Sequence, residues 1–264
     1  MNIQTRLQGK VVLVTGGGSG LGRGACQRIA AEGGSLAIAD IREALAEETA
    51  QAIREEGGKA IALACDVADE SQVAAAVEKT VSEFGGLHGL FANAGTAGSG
   101  WIHELALEDW NFVLGVNLTG PFLCAKHSLG PMIEAGGGSI VVTSSIAGSV
   151  VGAGGSAVSY AASKAGVIQL ARQIAVDYAK QGIRANAIQP GPVQDSNLRK
   201  HAAEDQSKQT TPAAQLPRPR PWLPIRRAGH ARDEYGATVA FLLSDDSGYI
   251  TGASIPVEGG YLAT

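Results

Sequence analysis

Short apolar segments alternate with helix-length segments along most of this chain. Six of the apolar segments have the length and composition of β-strands, and they are Val11–Thr15, Ser35–Asp40, Ala60–Cys65, Leu87–Ala92, Ser139–Ser144 and Arg184–Gln189. Several are apolar on both faces, which is typical of parallel strands that are covered on both sides. The intervening segments, such as Ala44–Glu56 and Glu70–Phe84, carry apolar residues at helical spacing. The sequence therefore predicts an α/β fold with a doubly wound, mostly parallel sheet and helices on both faces.

Aspartate and glycine residues mark the ends of the predicted helices. Asp69 precedes Glu70 and is predicted to cap the helix that follows. Three glycine pairs, at 33–34, 57–58 and 85–86, each follow a predicted helix, where a left-handed residue often ends it. The 264 residues contain no internal repeat, and 45% of them are hydrophobic, which is enough for one core. We expect a single domain over residues 1–264.

Charge, hydropathy and cysteine usage narrow the class of protein. The net charge of −4 gives no electrostatic support for binding nucleic acid. No apolar run reaches the ~18 residues of a membrane span, and the first ten residues lack the apolar stretch of a signal peptide. The three cysteines form no Cys-x-x-Cys pair, and the five histidines show no metal-ligand spacing. We expect a cytoplasmic protein with no metal site and no membrane partner.

One compositional break runs over about residues 192–228. It holds six of the ten prolines, and most of its charged residues are Arg or Lys. Long excursions in compact domains are often functional, so we expect a substrate lid with a short helix near 196–204. An exposed irregular segment and a proline-rich ligand for another protein are the alternatives. Whether the arginines of the excursion bind an anionic substrate stays open.

A glycine cluster follows the first predicted strand and opens a helix. Gly16 permits the turn, Gly20 allows the backbone to approach a pyrophosphate, and Gly22 allows close packing of helix against strand. Phosphates would then meet the unpaired N–H groups at the helix start. The strict Gly-x-Gly-x-x-Gly pattern is not present, so a tight turn without a ligand remains an alternative. No Gly-Lys-Ser/Thr follows, which excludes a P-loop nucleotide hydrolase.

A carboxylate at the end of the second strand supports a dinucleotide. Asp40 lies eighteen residues after Gly22, where it can accept hydrogen bonds from the ribose diol of adenosine and repel a 2′-phosphate. No basic residue lies between Gly16 and Gly22, although Arg42 is two positions past the acid. The pattern favours NAD over NADP, with a simple strand-end cap as the alternative role for Asp40.

Further motifs continue the pattern over nearly the whole chain. In order they are Thr15-Gly16-x-x-x-Gly20-x-Gly22, Asp40, Asp66-Val67, Asn93-Ala94-Gly95, Asn117, Ser144-Ser145, Tyr160-x-x-x-Lys164, Pro190-Gly191, Tyr249-Ile-Thr-Gly252 and Val257-Glu-Gly-Gly260. Together they resemble the short-chain dehydrogenase/reductase family. The resemblance implies a Rossmann-type fold with seven strands, hydride transfer with a nicotinamide cofactor, and a homotetramer built on the helices that carry Asn117 and Tyr160 and on the C-terminal strand.

The resemblance also assigns site residues. The implied catalytic set is Asn117, Ser145, Tyr160 and Lys164. The predicted cofactor-binding residues are Gly16, Ser19, Gly20, Leu21, Gly22, Asp40, Ile41, Asp66, Val67, Asn93, Ala94, Gly95, Tyr160, Lys164, Pro190, Gly191 and Val193. The predicted substrate pocket consists of Ala97, Trp101, Val150, Val151, Pro192 and Trp222. This mainly apolar set favours a secondary alcohol or ketone on a modest apolar frame, cyclic frames included.

The chemistry of the Tyr160–Lys164 pair can be argued from its spacing. Residues at i and i+4 share one helical face, so the ammonium can approach the phenol. Lowering a tyrosine pKa from ~10 by ~3 units takes about 4 kcal/mol. A cation ~4 Å away supplies this only at an effective dielectric near ~20, so the pair must be partly desolvated, and oxidised nicotinamide would act in the same direction. Ser145 is then expected to polarise the substrate oxygen and Asn117 to bind a water that links Lys164 to solvent.

Two segments depart from the family pattern. The family places a Thr after Pro190-Gly191, whereas Pro192-Val193-Gln194-Asp195-Ser196 stands here. Ionised Asp195 cannot donate a hydrogen bond, so that cofactor contact passes to Ser196, to backbone, or is lost. The segment between Ser145 and Tyr160 is slightly longer than usual, and its extra length falls in the glycine run Val150–Gly155. We expect this run to carry the substrate preference.

Two other functions compete with an NAD-dependent secondary-alcohol dehydrogenase or ketone reductase. A 3-oxoacyl thioester reductase usually prefers NADPH, and Asp40 argues against it. A catalytically silent dinucleotide-binding sensor or scaffold would have no need of Asn117, Ser145, Tyr160 and Lys164 together. A sugar-nucleotide epimerase or dehydratase would need a longer C-terminal substrate domain.

Overall fold

The core of the protein is one sheet of seven parallel strands. A computed structural model describes residues 5–98, 100–150, 157–194, 196, 198 and 223–263. The strands are β1 Val11–Thr15, β2 Ser35–Asp40, β3 Lys59–Ala64, β4 Gly89–Ala92, β5 Gly138–Thr143, β6 Ile183–Pro190 and β7 Ser254–Val257. Their order in the sheet is β3-β2-β1-β4-β5-β6-β7, and every neighbouring pair is parallel. The predicted doubly wound α/β fold is confirmed.

Helices cover both faces of the sheet. They are α1 Gly20–Ala31, α2 Glu43–Glu55, α3 Glu70–Phe84, α4 Leu107–Leu114, α5 Gly120–Glu134, α6 Val158–Asp177 and α7 Ala237–Leu243. Residues from α1, α2 and α7 pack in one apolar layer, and residues from α3, α5 and α6 pack in the other. Because side chains alternate along a strand, Val12 and Val14 of β1 face the first layer while Val11 and Leu13 face the second. Burial on both faces explains why these strands read as continuous apolar runs.

The strand order creates a crevice at the carboxyl ends of β1 and β4. The chain moves outward from β1 through β2 to β3, and then returns to start β4 on the other side of β1. Loops that follow β1 and β4 therefore diverge, and ligands of open α/β sheets bind in the gap between them. The glycine cluster and Asn93 lie in these two loops.

The predicted element boundaries agree with the structure to within two residues. Helix α3 begins and ends as predicted, because Asp69 accepts hydrogen bonds from the N–H groups of Ser71 and Gln72 and Gly85 ends the helix at φ +82°. Gly33 and Gly57 also adopt positive φ after α1 and α2. Strand β4 begins at Gly89 rather than the predicted Leu87.

The excursion over residues 192–228 lies largely outside the described residues. Its two described stems pair with each other, since Val193 and Gly229 form a parallel bridge in which Gln194 N–H donates to Gly229 O. Near its end, Ile225 N–H donates to Gly259 O at 3.0 Å. The expected lid and its short helix cannot be placed and stay predictions. In the described part of the chain no helix is long and apolar enough to cross a membrane.

Candidate active site

A cleft of about 680 Å³ opens at the carboxyl ends of the central strands. Every residue predicted to contact the cofactor lines this cleft, from Gly16 in the first loop to Val193 after β6. Ser145, Tyr160 and Lys164 line it as well, so the two predicted sites form one continuous space. Asn117 has no exposed surface and lies behind its wall.

The glycine loop leaves room where side chains would otherwise project. A Cβ on Gly16 would lie 2.9 Å from Ala94 Cα, and one on Gly22 would collide with Gly16 O. Gly16 and Gly20 also adopt φ of +64° and +51°, which other residues rarely do. Helix α1 starts at Gly20, and its cap residue Ser19 makes no side-chain capping bond. The unpaired N–H groups of this helix start are therefore available to an anion in the cleft.

Asp40 sits at the end of β2 with one edge facing the cleft. Its Oδ2 accepts a hydrogen bond from Gly18 N–H at 3.0 Å, and its Oδ1 accepts one from Arg42 N–H at 3.0 Å. The carboxylate is almost fully buried, and the Arg42 Nε lies 3.9 Å from Oδ1. Asp40 thus holds the glycine loop and its own strand end in place. Carboxylate oxygens can each accept more than one bond, so these contacts leave capacity for a diol.

Asn93 connects three strand ends beneath the cleft. Its N–H donates to Thr15 Oγ1 at 3.0 Å, and its Nδ2 donates to Thr15 O at 3.1 Å. Thr143 Oγ1 donates to Asn93 Oδ1 at 3.2 Å. The ends of β1, β4 and β5 are therefore tied together at this point. On the other side of the cleft, Asp66 Oδ1 accepts from Ala68 N–H at 2.9 Å and shapes the loop after β3.

Asn117 lies on a π-helical turn, Gly115–Thr119, between α4 and α5. Its Oδ1 accepts from Thr96 N–H at 2.8 Å, and its Nδ2 donates to Thr96 O at 2.9 Å and to Ser163 Oγ at 3.2 Å. The side chain thereby joins the loop after β4 to helix α6. Single π turns inside helices are frequent at functional sites. Both amide hydrogens are committed, so only Oδ1 keeps a lone pair for the relay water expected from the sequence.

Gly95 keeps a space open between Asn117 and Lys164. A Cβ placed on Gly95 would lie 3.2 Å from Asn117 Oδ1 and 3.4 Å from Lys164 Nζ. These two polar atoms therefore face the same small space, which glycine leaves free. The geometry is compatible with a water between them.

Ser145, Tyr160 and Lys164 meet at the centre of the cleft. Ser145 caps the short 3₁₀ turn Ile146–Gly148, and its Oγ accepts from Ala147 N–H at 3.1 Å. Tyr160 and Lys164 lie one turn apart near the start of α6, as the spacing predicts. Lys164 is 3% exposed, its Nζ donates to Thr143 O at 2.8 Å, and it lies 5.7 Å from the centre of the Tyr160 ring.

The pKa values of this pair differ from the sequence-based expectation. Burial raises the pKa of Tyr160, and its hydrogen bond with Ser145 lowers that pKa by a smaller amount. Burial also lowers the pKa of Lys164 to about 8. The expected acidification of Tyr160 by Lys164 is therefore not a property of these residues alone, because desolvation outweighs it and the ammonium points at a carbonyl. A phenolate here requires further positive charge.

The predicted substrate pocket is only partly placed. Ala97 and Pro192 line the cleft, whereas Val151 and Trp222 lie outside the described residues. Trp101 is not among the residues that line it, and the Trp101 carbonyl accepts from Glu104 and Leu105 N–H in a turn. Val150 is also not among the lining residues and lies 38% exposed at the end of the Ser145 turn. The glycine run proposed to carry substrate preference is otherwise not described.

The cleft is also lined by residues outside the predicted site sets. These are Arg42, Cys65, Ala68, Thr96, Phe112, Val116, Thr143, Ser144, Ser196 and Leu198. Phe112 and Val116 lie four residues apart, and Val116 directly precedes Asn117, so helical periodicity around Asn117 was an available signal. Ser196 was one of the alternatives for the cofactor contact after Pro190-Gly191, whereas Leu198 had no comparable signal because its position depends on a long irregular segment.

Comparison with known proteins identifies the family of the chain. A family model described as enoyl-(acyl carrier protein) reductase matches residues 16–262. The chain is 39% identical over 263 residues to 2,5-dichloro-2,5-cyclohexadiene-1,4-diol dehydrogenase of Sphingobium indicum, covering 97% of this chain and 98% of the relative. It is 40% identical over 255 residues to cis-4-hydroxycyclohexanecarboxylate dehydrogenase of Sinomonas cyclohexanicum, covering 96% and 97%.

A solved structure shows the same fold at full length. The crystal structure of a short-chain type dehydrogenase/reductase from Mycobacterium marinum superposes with a TM-score of 0.88 and 29% identity, over 99% of this chain and 98% of that one. Family model, relatives and fold all cover the glycine loop, Asp40, Asn117, Ser145 and the Tyr160–Lys164 pair. The chain is an oxidoreductase that belongs to the short-chain dehydrogenase/reductase family.

Proposed function

We propose that this protein is an NAD-dependent dehydrogenase of cyclic secondary alcohols, or a reductase of the corresponding ketones. The observation that carries the cofactor assignment is Asp40, a buried carboxylate at the cleft beside the glycine loop. A fixed negative charge at this position accepts bonds from a ribose diol and repels a 2′-phosphate. Members of the family use nicotinamide dinucleotides, and Asp40 supports the form without that phosphate.

The residues of the cleft fit such a cofactor. The glycine loop would admit the pyrophosphate at the start of α1. The close packing of this loop requires glycine at positions 16 and 22, because their Cβ atoms would clash with Ala94 and with Gly16 O. Asp66 and Val67 would border the adenine, and Asn93 to Gly95 would line the floor. Bound nicotinamide would supply the hydride acceptor or donor. The protein's own task is to orient the substrate and move a proton.

Tyr160 is proposed to exchange the proton with the substrate oxygen. Its phenol lies in the cleft, and Ser145, with which it forms a hydrogen bond, can donate to the same substrate oxygen. Because burial favours the neutral phenol, further positive charge is needed to favour its ionised form, and oxidised nicotinamide would supply it when bound. Lys164 would hold the cofactor ribose and pass protons towards the space beside Gly95, which Asn117 faces.

The substrate class follows from the lining and from the relatives. Ala97, Phe112, Val116, Pro192 and Leu198 give the cleft apolar walls. The relatives described above are named for a cyclohexadiene diol and for a hydroxycyclohexanecarboxylate, both of them cyclic alcohols. An apolar ring with one reacting oxygen fits these walls. The second relative is named for a substrate that has a carboxylate, so the substrate panel includes a ring alcohol with an anionic substituent.

A second candidate is a 3-oxoacyl thioester reductase that uses NADPH. The description of the matching family model and the Arg42 guanidinium beside Asp40 favour it. Asp40 opposes it, because a 2′-phosphate would meet a carboxylate already fixed by two backbone N–H groups.

We further propose a cytoplasmic homotetramer with no nucleic-acid partner. The three cysteines are buried and free, which supports a reducing compartment. Phe122 on α5 and Val176 on α6 are exposed apolar residues on the helices implied in assembly. Sedimentation of the purified protein would measure the oligomeric state.

Initial rates with NAD and NADP separately test the function. The panel comprises cyclic and acyclic secondary alcohols, a ring alcohol with a carboxylate, a 3-oxoacyl thioester and the matching ketones. Each reaction is followed by the absorbance of reduced nicotinamide. We expect NAD-dependent turnover that is highest on cyclic substrates. Tyr160→Phe should lower kcat by about 10²–10⁴-fold while NADH binding persists. Tyr249→Phe, at an exposed position, serves as the control.

Each outcome has a clear meaning. Faster turnover of the thioester with NADPH would replace the proposal by the second candidate. Substantial turnover by Tyr160→Phe would remove Tyr160 from the proton transfer. Tight NADH binding without turnover of any substrate would support a silent dinucleotide sensor.

A further inference from the structure

Strand β6 extends beyond its neighbour at the edge of the active site. The last residue of β5, Thr143, pairs with Ile188, so Gln189 and Pro190 lie past the end of β5. Side chains alternate along the strand, and Gln189 therefore shares a face with Ala185 and Ala187. Those two alanines belong to the apolar layer under α6. A long polar side chain replaces them at the point where the strand reaches the loop after β5.

The Gln189 side chain spans from β6 to that loop. Gln189 is 3% exposed, and its Nε2 donates a hydrogen bond to Ser149 Oγ at 2.5 Å. Ser149 directly follows the 3₁₀ turn Ile146–Gly148, whose cap is Ser145. Ser149 itself is exposed. One buried amide thus holds the far end of the turn that starts with the catalytic serine.

The near end of the same turn is held by different contacts. Ser144 N–H donates to Ile188 O at 2.9 Å, and Ser144 Oγ donates to Lys164 O at 2.6 Å. Gly148 packs so closely that a Cβ would lie 2.6 Å from Lys164 O. Within the described residues, the hydrogen bond from Gln189 is the side-chain bond that fixes the turn after Gly148. Without it, Ser149 and Val150 keep only local bonds to Ile146 O.

We propose that Gln189 is a positioning residue for the substrate side of the reaction. Through Ser149 it fixes the turn Ser145–Val150, and thereby the direction in which Ser145 presents its hydroxyl towards Tyr160. This inference rests on the proposed function, in which Ser145 binds the reacting oxygen. The hydrogen bonds of Asp40 go to Gly18 and Arg42 and do not involve this turn, so we expect cofactor binding to change little when the bond is lost. Pro190 and Gly191 directly follow Gln189, and the Ser149 arm of the test breaks the bond without changing the strand that carries them.

A double-mutant cycle tests the bond itself. Gln189→Leu removes the donor and Ser149→Ala removes the acceptor, and the third protein carries both changes. We expect each single variant to lower kcat/KM for the alcohol by about tenfold, with KM for NAD and the Kd of NADH unchanged. Because both singles break one bond, the double variant should lose no more than either single. Gln173→Leu is the matched control, since Gln173 donates only to Asp177 on the exposed side of α6.

The cycle separates positioning from folding. Ser149→Ala leaves the buried Gln189 amide without its acceptor and should lower the Tm by only a few degrees. Rates are therefore compared well below that Tm, where both single variants are folded, so that loss of alcohol turnover cannot come from unfolding. Wild-type values of kcat/KM in both singles would overturn the inference, as would additive losses in the double variant or a parallel rise in the Kd of NADH. If the wild-type protein turned over no alcohol or ketone, the proposed function itself would fail. The NADH measurements are independent of turnover and would distinguish that failure from a failure of the inference about Gln189.

Discussion

Lys164 is the residue at which function and stability oppose each other. Its ammonium is 3% exposed and its pKa falls from 10.5 to about 8, because burial removes water from the charged form. The unfolded chain therefore binds more protons than the folded one between pH 8 and 10.5, and stability rises with pH across that window. Below pH 8 the full cost is present, about 3 kcal/mol at ~1.4 per pKa unit.

Lys164→Met should therefore stabilise the protein at neutral pH while it abolishes turnover. The change removes the buried charge but leaves Thr143 O without its 2.8 Å donor, which costs about 1–2 kcal/mol. The net gain at pH 7 is about 1–2 kcal/mol, measured by urea unfolding. The gain should shrink as pH rises above 8 and be gone by pH 10.5, where the wild-type lysine is neutral in the folded protein and half neutral in the unfolded chain. Lys180→Met, at an exposed site, controls for lost charge, and a destabilised Lys164→Met at pH 7 would contradict the argument.

Residue identities at the site were predictable because they follow local motifs, whereas their partners were not. Asp40 was recognised from its distance to the glycine loop, yet its bond to Gly18 N–H depends on the folded loop. Asn117 was recognised by resemblance, but its hydrogen bonds with Thr96 join residues twenty-one positions apart and could not be read from a local motif. Gln189 has no motif at all. Its proposed role requires that β6 extends past the end of β5, and this depends on the register of the two strands in the folded sheet.

At the scale of elements, local sequence fixes helix ends better than strand ends. Helix α3 carries its own boundaries in Asp69 and Gly85, and both worked as predicted. Strand β4 starts two residues late because the ring of His88 accepts from Val11 N–H, a contact with another strand. The π turn Gly115–Thr119 before α5 was not predicted from the sequence.

Two fully buried serines in neighbouring elements should respond oppositely to the same substitution. Ser139 on β5 donates from Oγ to Leu242 O of α7 at 2.7 Å. Ser128 on α5 is equally buried, and its Oγ has no hydrogen-bond partner among the described residues. Ser139→Ala removes one of two donors to Leu242 O, which Ser247 Oγ also reaches at 2.9 Å, and should cost about 1 kcal/mol. Ser128→Ala should be neutral or stabilising by up to about 1 kcal/mol.

Urea unfolding of the two variants at one pH makes the comparison direct, because both lose the same hydroxyl. Equal losses of stability would show that Ser128 has a partner that matters. A further difference concerns assembly, since α5 is one of the helices implied in the tetramer. The measurement is therefore repeated at two protein concentrations, and a difference between the variants that stays the same at both would separate it from effects on assembly.

At the scale of the whole molecule, the candidate active site and the main stabilising polar contacts lie at opposite ends of the strands. The cleft occupies the carboxyl ends of the strands, where loops can vary without breaking the core. Ion pairs and hydrogen bonds that stabilise the fold lie at the amino ends of the strands. Arg6 and Arg28 pair with the buried carboxylate of Glu32, Lys10 pairs with Asp245, and His88 holds the start of β1. Substitutions at the amino edge should change stability while leaving the reaction untouched.

His88 gives the sharpest test of this separation. Its Nδ1 accepts from Val11 N–H at 3.1 Å, so the bond exists only while that nitrogen is unprotonated. Burial lowers the pKa of His88 below 6.5, and the nearby Lys10 charge lowers it further. The unfolded chain thus binds the proton first, and the stability supplied by this contact is lost as pH falls through 6.5 and below.

His88→Asn keeps an acceptor at similar reach but cannot titrate. We expect wild-type stability at pH 8 and a smaller loss than wild type on going to pH 5, by about 1 kcal/mol, the cost of an unpaired N–H. His103→Asn changes an exposed histidine and should retain the wild-type loss. Turnover at pH 8 should be the same in all three proteins, because His88 is separated from the cleft by the length of β1. Unfolding in urea at both pH values checks the stabilities, and identical acid losses in His88→Asn and wild type would assign the acid sensitivity to other groups.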